Sequence, residues 1–439
     1  MNSGGDSHSE MPFPFAAVAD DDTGATDLAG MLAERGMRAV LLLDQPSTEE
    51  FDRWTKDADA VVIGTASRSI DPDEAYRRTR EAVSLLQSSR PQVLAIKYCS
   101  TFDSTEAGNI GQSIDAAMDQ TGAEFTVALP ALPVNGRTTY MGYHFVRCQL
   151  LSDSAMRNHP LNPMTNPNLL SHLQGQTKRR VGLVAFPEVQ EGPARVQTRL
   201  RELKAEGVGI AVLDCTSDRD LEILSQGIRD LPLVTGSSAV GIRLPLSWRD
   251  TAPEPLCICS DLARKGFLVA AGSYSDATRR QNEWLSRNGA TAVTLDAVAL
   301  ATGADVQIPA ECVAALRSDT VCLLQLSRNR EEVHRLFSVQ GKTEIQAGER
   351  IAAGFARVIG EIVNATPPKG LVLAGGETAS TIARALGLRA LRVGTNIEPG
   401  VPLCVTLPPC SVPVVFKSGN FGSDDFYGRA IAAISSLRS

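Results

Sequence analysis

At 439 residues the chain has room for two or three domains of ordinary size. With 43 % apolar and 21 % charged residues it is a globular sequence, which argues against a largely disordered chain or a repeat array. The formal charge of −7 excludes the broad basic surface of a nucleic-acid binder, while local cationic pockets for small anions stay open.

The first residues, Met1 to Glu10, are polar, with neither a basic start nor an apolar h-region, so 1–12 is expected to be a flexible extension. No run reaches the roughly 20 apolar residues of a membrane span, and no membrane partner is expected. The nine cysteines are scattered, and the one close pair, Cys257 and Cys259, has a spacing that suits neither a zinc ribbon nor a thioredoxin motif. Reduced thiols and a cytoplasmic location are the expectation.

Phe15 to Ala19 is an apolar run that stops at Asp20-Asp21-Asp22-Thr23-Gly24, the pattern of a buried strand entering a polar turn. Leu28, Met31 and Leu32 then share a helical face, Gly36 supplies a stop, and Ala39 to Leu43 is the next apolar run. Similar runs at Val61 to Ile63, Val93 to Ile96, Phe125 to Leu129, Val181 to Ala185 and Ile210 to Leu213 predict a parallel sheet covered by helices. Between Leu151 and Lys178, three prolines predict an ordered loop or flap. The charged, proline-bearing stretch Arg249 to Pro255 is the expected linker. Beyond it, runs at Phe267 to Ala271, Ala292 to Leu295, Val321 to Leu324 and Leu371 to Ala374, with a helical face through Ile351, Phe355, Val358 and Ile362, predict a second unit of the same kind. The predicted class is α/β, with two domains, 13–250 and 256–439, each a largely parallel sheet flanked by helices. Gly394 to Gly400 is expected to be a loop.

Three adjacent carboxylates at a strand end are costly unless cations or hydrogen bonds hold them, so Asp20, Asp21 and Asp22 point to a site. One of them suits proton acceptance from a hydroxyl, with Thr23 and the Gly24 backbone on substrate oxygens; a solvated helix cap is the bland alternative. Arg68 after one strand, and Lys97 with Asp103 and Ser104 after another, supply a forked cation, a point charge and hydroxyl-recognising groups. Together they describe a pocket for a small hydroxy acid. Asn135 and Arg137, and His159 in the flap, add candidate contacts, although each also reads as an ordinary loop residue.

In the second half, Gly375-Gly376-Glu377-Thr378 follows an apolar run and opens a helix, a junction where backbone N–H groups and the helix dipole approach a phosphate. It is neither a Walker A nor a GxGxxG pattern, so a plain turn stays open. The turn carrying Ser273 and Ser275 repeats that position. The segment Lys417 to Gly422, with Gly419 and Asn420, adds a cation and two glycines after Val412 to Phe416. Ligands of parallel sheets gather at the carboxyl ends of strands, so these turns suit one nucleotide.

Ala19-Asp20-Asp21 with Thr23-Gly24-Ala25, Lys97 to Thr105, Gly108 to Gly111, Pro130 to Thr138, His159 to Thr165, Val234 to Gly236, Ala374 to Thr378 and Lys417 to Gly422 occur in a telling order. That order and spacing resembles the four-carbon acid sugar kinase family over nearly all of Val18 to Phe426. Lys97 to Thr105 and Pro130 to Thr138 look most like its 3-oxo-tetronate 4-kinase branch. The resemblance implies an N-terminal sugar-acid domain, a C-terminal nucleotide domain and an active site in the interdomain cleft. It further implies that ATP, with Mg²⁺ bridging its phosphates, phosphorylates the terminal hydroxyl of a 3-oxo-tetronate. ATP contacts carry over to Ser273, Gly375 to Thr378 and Gly419, and acid contacts to Asp20, Asp21, Arg68, Lys97 and Asp103. Asp21 is the expected proton acceptor or orienting group, and Lys97 its catalytic partner. D-threonate or D-erythronate as acceptor, and a non-catalytic sensor of sugar acid or nucleotide, are the alternative readings; self-association into a homo-oligomer is left open. Asp22 stands where the family usually has an aromatic residue, and Asn158 where it often has histidine.

Overall fold

The computed structural model describes residues 13–159, 162–242, 248–258, 264–327, 344–408 and 411–437, so the extension expected over 1–12 lies outside them. The strands of the first half are β1 (Phe15–Ala19), β2 (Ala39–Leu42), β3 (Ala60–Gly64), β4 (Val93–Lys97), β5 (Thr126–Leu129), β6 (Arg137–Tyr140), β7 (Tyr143–Val146), β8 (Gln149–Leu150), β9 (Val181–Val184), β10 (Ile210–Leu213) and β11 (Leu233–Gly236). Those of the second half are β12 (Phe267–Ala271), β13 (Thr291–Leu295), β14 (Val321–Leu326), β15 (Gly370–Ala374), β16 (Ala390–Glu398), β17 (Val401–Thr406) and β18 (Pro413–Lys417).

The apolar runs become strands because helices cover both faces, and β1, β3 and β4 are buried at every position. Parallel pairing sets Ala19 level with Gly64 and Lys97 in the first half, and Ala374 level with Ala271 and Lys417 in the second. The polar turns that follow these residues therefore emerge side by side, in one cluster per half.

Each half is an α/β unit with its own sheet flanked by helices. The two sheets are continuous, however, in the order β13-β14-β12-β15-β18-β17-β16-β2-β3-β1-β4-β11-β5-β10-β9 among the described residues. The joint is antiparallel: Ala390 of β16 faces Leu42 of β2, and Val393 faces Ala39. The loop expected at Gly394 to Gly400 is corrected accordingly, because β16 runs to Glu398 and turns at Pro399 and Gly400 into β17. Polar residues interrupt the apolar ones along β16, which hides it from a search for solid apolar runs.

Six inter-strand steps separate β15 from β1, roughly 29 Å along a flat sheet. Yet a Cβ on Gly376, just past β15, would lie 3.7 Å from Thr23 Oγ1, just past β1. The sheet therefore curls, and helix α1 (Asp22–Glu34) fills its concave side against β2, β3, β16, β17 and β18. The stretch Arg249 to Pro255 is irregular but stitched to the end of α1, with Trp248 Nε1 donating to Arg35 O at 3.3 Å and Asp250 paired with Arg35 at 3.0 Å.

Candidate active site

Because β3, β1 and β4 are neighbours that end level, their turns bring Arg68, the aspartate run and Lys97 together. Arg68 donates Nε and Nη2 to the two oxygens of Asp20, each at 2.8 Å, and Nη2 also to Asp21 Oδ1 at 2.5 Å. Asp21 caps α1, accepting from Thr23 Oγ1 at 2.6 Å and from Gly24 N at 3.1 Å, with Lys97 Nζ 3.7 Å away. Burial pushes the Asp21 carboxyl up, but Arg68 and then Lys97 outweigh it and hold it at about 2. For Asp20 burial prevails over Arg68, and its carboxyl is raised.

Lys97 is only 4 % exposed. Its Nζ lies 1.8 Å from where a Cβ on Gly24 would fall, so the ammonium rests directly on the bare first turn of α1. Asp22 points the other way. Fully buried, it pairs at 2.9 Å with Arg384 on the helix Gly376–Ala385 of the second half. The predicted cost of three packed carboxylates is thus met by Arg68, Lys97 and Arg384.

Asp103 lines the same small cavity as Asp20, Arg68 and Lys97, and accepts from Thr101 Oγ1 at 2.6 Å. Ser104 is turned inward, donating to Phe102 O at 3.0 Å and accepting from Gln176 Nε2 at 2.9 Å. Arg137 folds back to donate to the Asn135 carbonyl, and His159 Nδ1 accepts from Asn162 N at 3.1 Å. Asn135 itself lines a larger cavity of about 340 Å³ between α1 and the β16–β17 turn. The structure therefore gathers Asp20, Asp21, Thr23, Gly24, Arg68, Lys97 and Asp103, with Asn135 nearby, and engages Ser104, Arg137 and His159 elsewhere. Sequence reasoning missed Asp27, one turn into α1, which shares the larger cavity and is hydrogen-bonded by Ser238.

In the second half the adjacent strands β12, β15 and β18 carry the three glycine and serine turns. Gly375 adopts φ 122°, a region that favours glycine; its N–H donates to Lys417 O at 2.8 Å, and the next residue opens the helix. Ser275 Oγ donates to Gly419 O at 2.5 Å, and Ser273 Oγ accepts from Ser275 N at 3.2 Å. Thr378 packs against Gly272, while Glu377 and Asn420 are exposed at the rim. Lys417 is fully buried, with Nζ 3.0 Å from Gly419 O, 3.1 Å from Ser418 O, and 3.2 Å from both Phe421 O and Thr278 Oγ1. Its burial holds the ammonium down to about 7 against the pull of Glu398. The cation expected here is thus an internal clamp on the glycine turn.

Among the described residues no group of three or more His, Cys, Asp or Glu is placed to hold a metal ion. The densest carboxylate run, Asp20 to Asp22, is already paired with cations, so the Mg²⁺ expected with a triphosphate finds no ligand set there.

Residues 15–244 match the model of a sugar-binding N-terminal domain, and residues 268–427 that of a nucleotide-binding C-terminal domain. A Pseudomonas fluorescens protein named 3-oxo-tetronate kinase is 40 % identical over 426 residues, which is 96 % of this chain and 97 % of that one. The chain belongs to the four-carbon acid sugar kinase family. A Salmonella typhimurium relative of the same name is 35 % identical, covering 95 % of this chain and 98 % of its own. Among solved structures, a Haemophilus influenzae protein superposes with a TM-score of 0.73 at 34 % identity, covering 95 % of this chain and 99 % of that one. A Salmonella typhimurium LT2 structure that carries a provisional tRNA-synthase name reaches a TM-score of 0.78 at 32 % identity, covering 95 % and 98 %. In the terms of the four-carbon acid sugar kinase family, the aspartate cluster lies in the sugar-binding half and the glycine turns in the nucleotide-binding half. Among the described residues no helix is long and apolar enough to cross a membrane.

Proposed function

We propose that this chain is an ATP-dependent kinase that transfers the γ-phosphoryl group to the 4-hydroxyl of 3-oxo-tetronate. Sugar acid binds to 13–250, ATP binds to 256–439, and the reaction runs in the cleft between them, in the cytoplasm. The observation that carries this reading is the meeting of the two clusters: Gly376 faces Thr23 at 3.7 Å from its Cβ position, and Arg384 reaches across to Asp22 at 2.9 Å. Phosphoryl transfer requires the donor turn and the acceptor pocket to share one gap, and that contact supports such a gap. The shared name of the full-length relatives favours the 3-oxo acid over D-threonate or D-erythronate.

In this reading Ser273, Ser275, Gly375 to Thr378, Gly419 and Asn420 receive the triphosphate through backbone N–H groups and hydroxyls. Lys97 supplies the buried charge next to the reacting oxygens, and Asp21 holds Lys97 and Arg68 in place. Asp20, Thr23, Gly24, Arg68, Asp103 and Asn135 form the acid pocket, with Ser104, Arg137 and His159 stiffening its walls. ATP brings Mg²⁺ with it.

The test is a coupled ADP-release assay over a panel of four-carbon acids, with the phosphate of each product located by NMR. Phosphate on the 4-position of 3-oxo-tetronate is expected. Preference for D-threonate or D-erythronate would change the substrate, and no ADP release with any acid would favour a sensor. A narrower expectation concerns the clamp: Lys417→Met should raise KM for ATP about tenfold or more, the cost of about one lost charged hydrogen bond, and leave KM for the acid unchanged. Equal KM values for ATP in the two proteins would remove Lys417 from nucleotide binding.

A further inference from the structure

Resting on the kinase reading, we propose that Asp27, and not the aspartate run at the end of β1, is the general base that takes the proton from the attacking hydroxyl. A base needs a free oxygen facing the acceptor. Both oxygens of Asp20 are bonded to Arg68, those of Asp21 to Arg68 and Thr23, and Asp22 is paired with Arg384; Asp103 accepts from Thr101 through Oδ1 and lines the small cavity around Arg68, not the larger one beside the second half. Asp21 in particular, held at about 2, is too weak a base to draw a proton from an alcohol.

Asp27 differs on each count. It lies three residues beyond Gly24, on the face of α1 where Lys97 Nζ rests, since residues three apart on a helix are neighbours. Ser238, in the short 3-10 segment after β11, donates Oγ to Asp27 Oδ2 and fixes the carboxylate plane. Oδ1 has no hydrogen-bond partner among the described residues. Asp27 lines the cavity of about 340 Å³, and its Oδ1 lies 3.3 Å from the Cβ position of Gly400, another residue of that wall. That position is also 2.6 Å from the ring of Phe421, in the segment that follows Lys417, so Oδ1 stands beside the nucleotide half. The other carboxylates lining this cavity are engaged, Glu34 by Asn396 at 2.8 Å and Glu398 by Arg429 and Ser423.

The step balances as follows. The hydroxyl oxygen of the acid bonds to the γ-phosphorus, the bond from that phosphorus to the β–γ bridging oxygen breaks, and its electron pair leaves with ADP. The hydroxyl proton passes to Asp27 Oδ1, and Lys97 stabilises the charge that develops between them. The charged groups facing Asp27 are Lys97 on β4, Asp21 at the cap of α1, Glu34 on α1 and Glu398 across the cavity. Burial raises the Asp27 carboxyl above its ordinary value, against the opposing charge of Lys97, which makes it a stronger base than Asp21.

The experiment measures kcat against pH for wild type, Asp27→Asn and Ser238→Ala, with ATP and whichever four-carbon acid the wild type turns over. Asp27→Asn is expected to lose about 10²–10⁴-fold in kcat with KM for both substrates little changed. Wild-type kcat should fall as pH drops through the raised pKa of Asp27, because only the carboxylate accepts a proton, and this acidic limb should vanish in Asp27→Asn. Ser238→Ala should keep the limb but displace it, which also tests the assignment should Asp27→Asn fail to fold. An Asp27→Asn protein within fivefold of wild type, or a Ser238→Ala profile superimposed on it, overturns the inference. Turnover of a different acid overturns only the substrate reading, and a wild type that phosphorylates none overturns both.

Discussion

Arg68→Ala should lower stability by about 3–5 kcal/mol and abolish measurable turnover, because it strands two buried carboxylates at once. Asp20 and Asp21 have side chains only 9 % and 21 % exposed, and Arg68 bonds both. Lys97, at 3.7 Å from Asp21, is too far to replace the fork. For a domain of this size the loss corresponds to a melting-point drop of about 6–20 °C. The loss should also shrink on acidification, and the sign follows from the two proteins separately. In the wild type Asp21 sits at about 2, so its stabilisation is present above the ordinary 3.8 and fades as pH falls toward 2. In the variant the largest opposing charge is gone, so burial raises the Asp20 carboxyl further and Asp21 loses the main cause of its depression; both bind protons at higher pH than in the wild type. Melting curves of the two proteins should therefore converge as pH falls. Arg68→Lys restores the charge without the bidentate geometry and should recover only part of the loss. A variant that melts within about 2 °C of wild type at pH 7 would show that the fork is dispensable.

Gly24→Ala should cut kcat/KM by about 10²-fold and lower stability by about 1 kcal/mol, the lost cap and the forced shift of Lys97 outweighing the gain in helix propensity. Alanine is the better helix former by up to about 1 kcal/mol, so α1 gains locally. The new Cβ, however, would fall 1.8 Å from Lys97 Nζ, 2.9 Å from its Cε and 2.3 Å from Asp21 Oδ1. Lys97 is buried with its stem in β4, so its ammonium must retract, and Asp21 must leave its cap. A displacement of that size at the reacting oxygens is what the rate should report. Steady-state kinetics beside thermal melts check it; unchanged kinetics would mean that Lys97 lies outside the reaction.

Much of this was legible in the sequence because buried parallel strands are solid apolar runs and their carboxyl ends are abrupt polar turns. Phe15 to Ala19 before the aspartates and Leu371 to Ala374 before the glycines show both signals, and the structure places those turns together. Three features escaped for physical reasons. Asp27 sits inside a helix, where a lone carboxylate reads as solvated surface, and its significance depends on Ser238, more than 200 positions away. Lys417 reads as a free cation at a strand end, because only the folded loop supplies the four oxygens that bury it. The strand β16 mixes polar and apolar residues, as a strand outside the solidly apolar centre of each half does, and reads as a loop.

The antiparallel joint between β2 and β16 constrains how such an enzyme breathes. Prising the two lobes apart would break a ladder of four paired residues, from Ala390–Leu42 to Val393–Ala39, so product escape must come from torsion about that ladder or from loop motion at its mouth. The same joint makes each lobe an incomplete object: severed at 248–258, each would bare a raw hydrogen-bonding edge and be prone to clump alone, yet the two pieces made together carry the template for finding each other again.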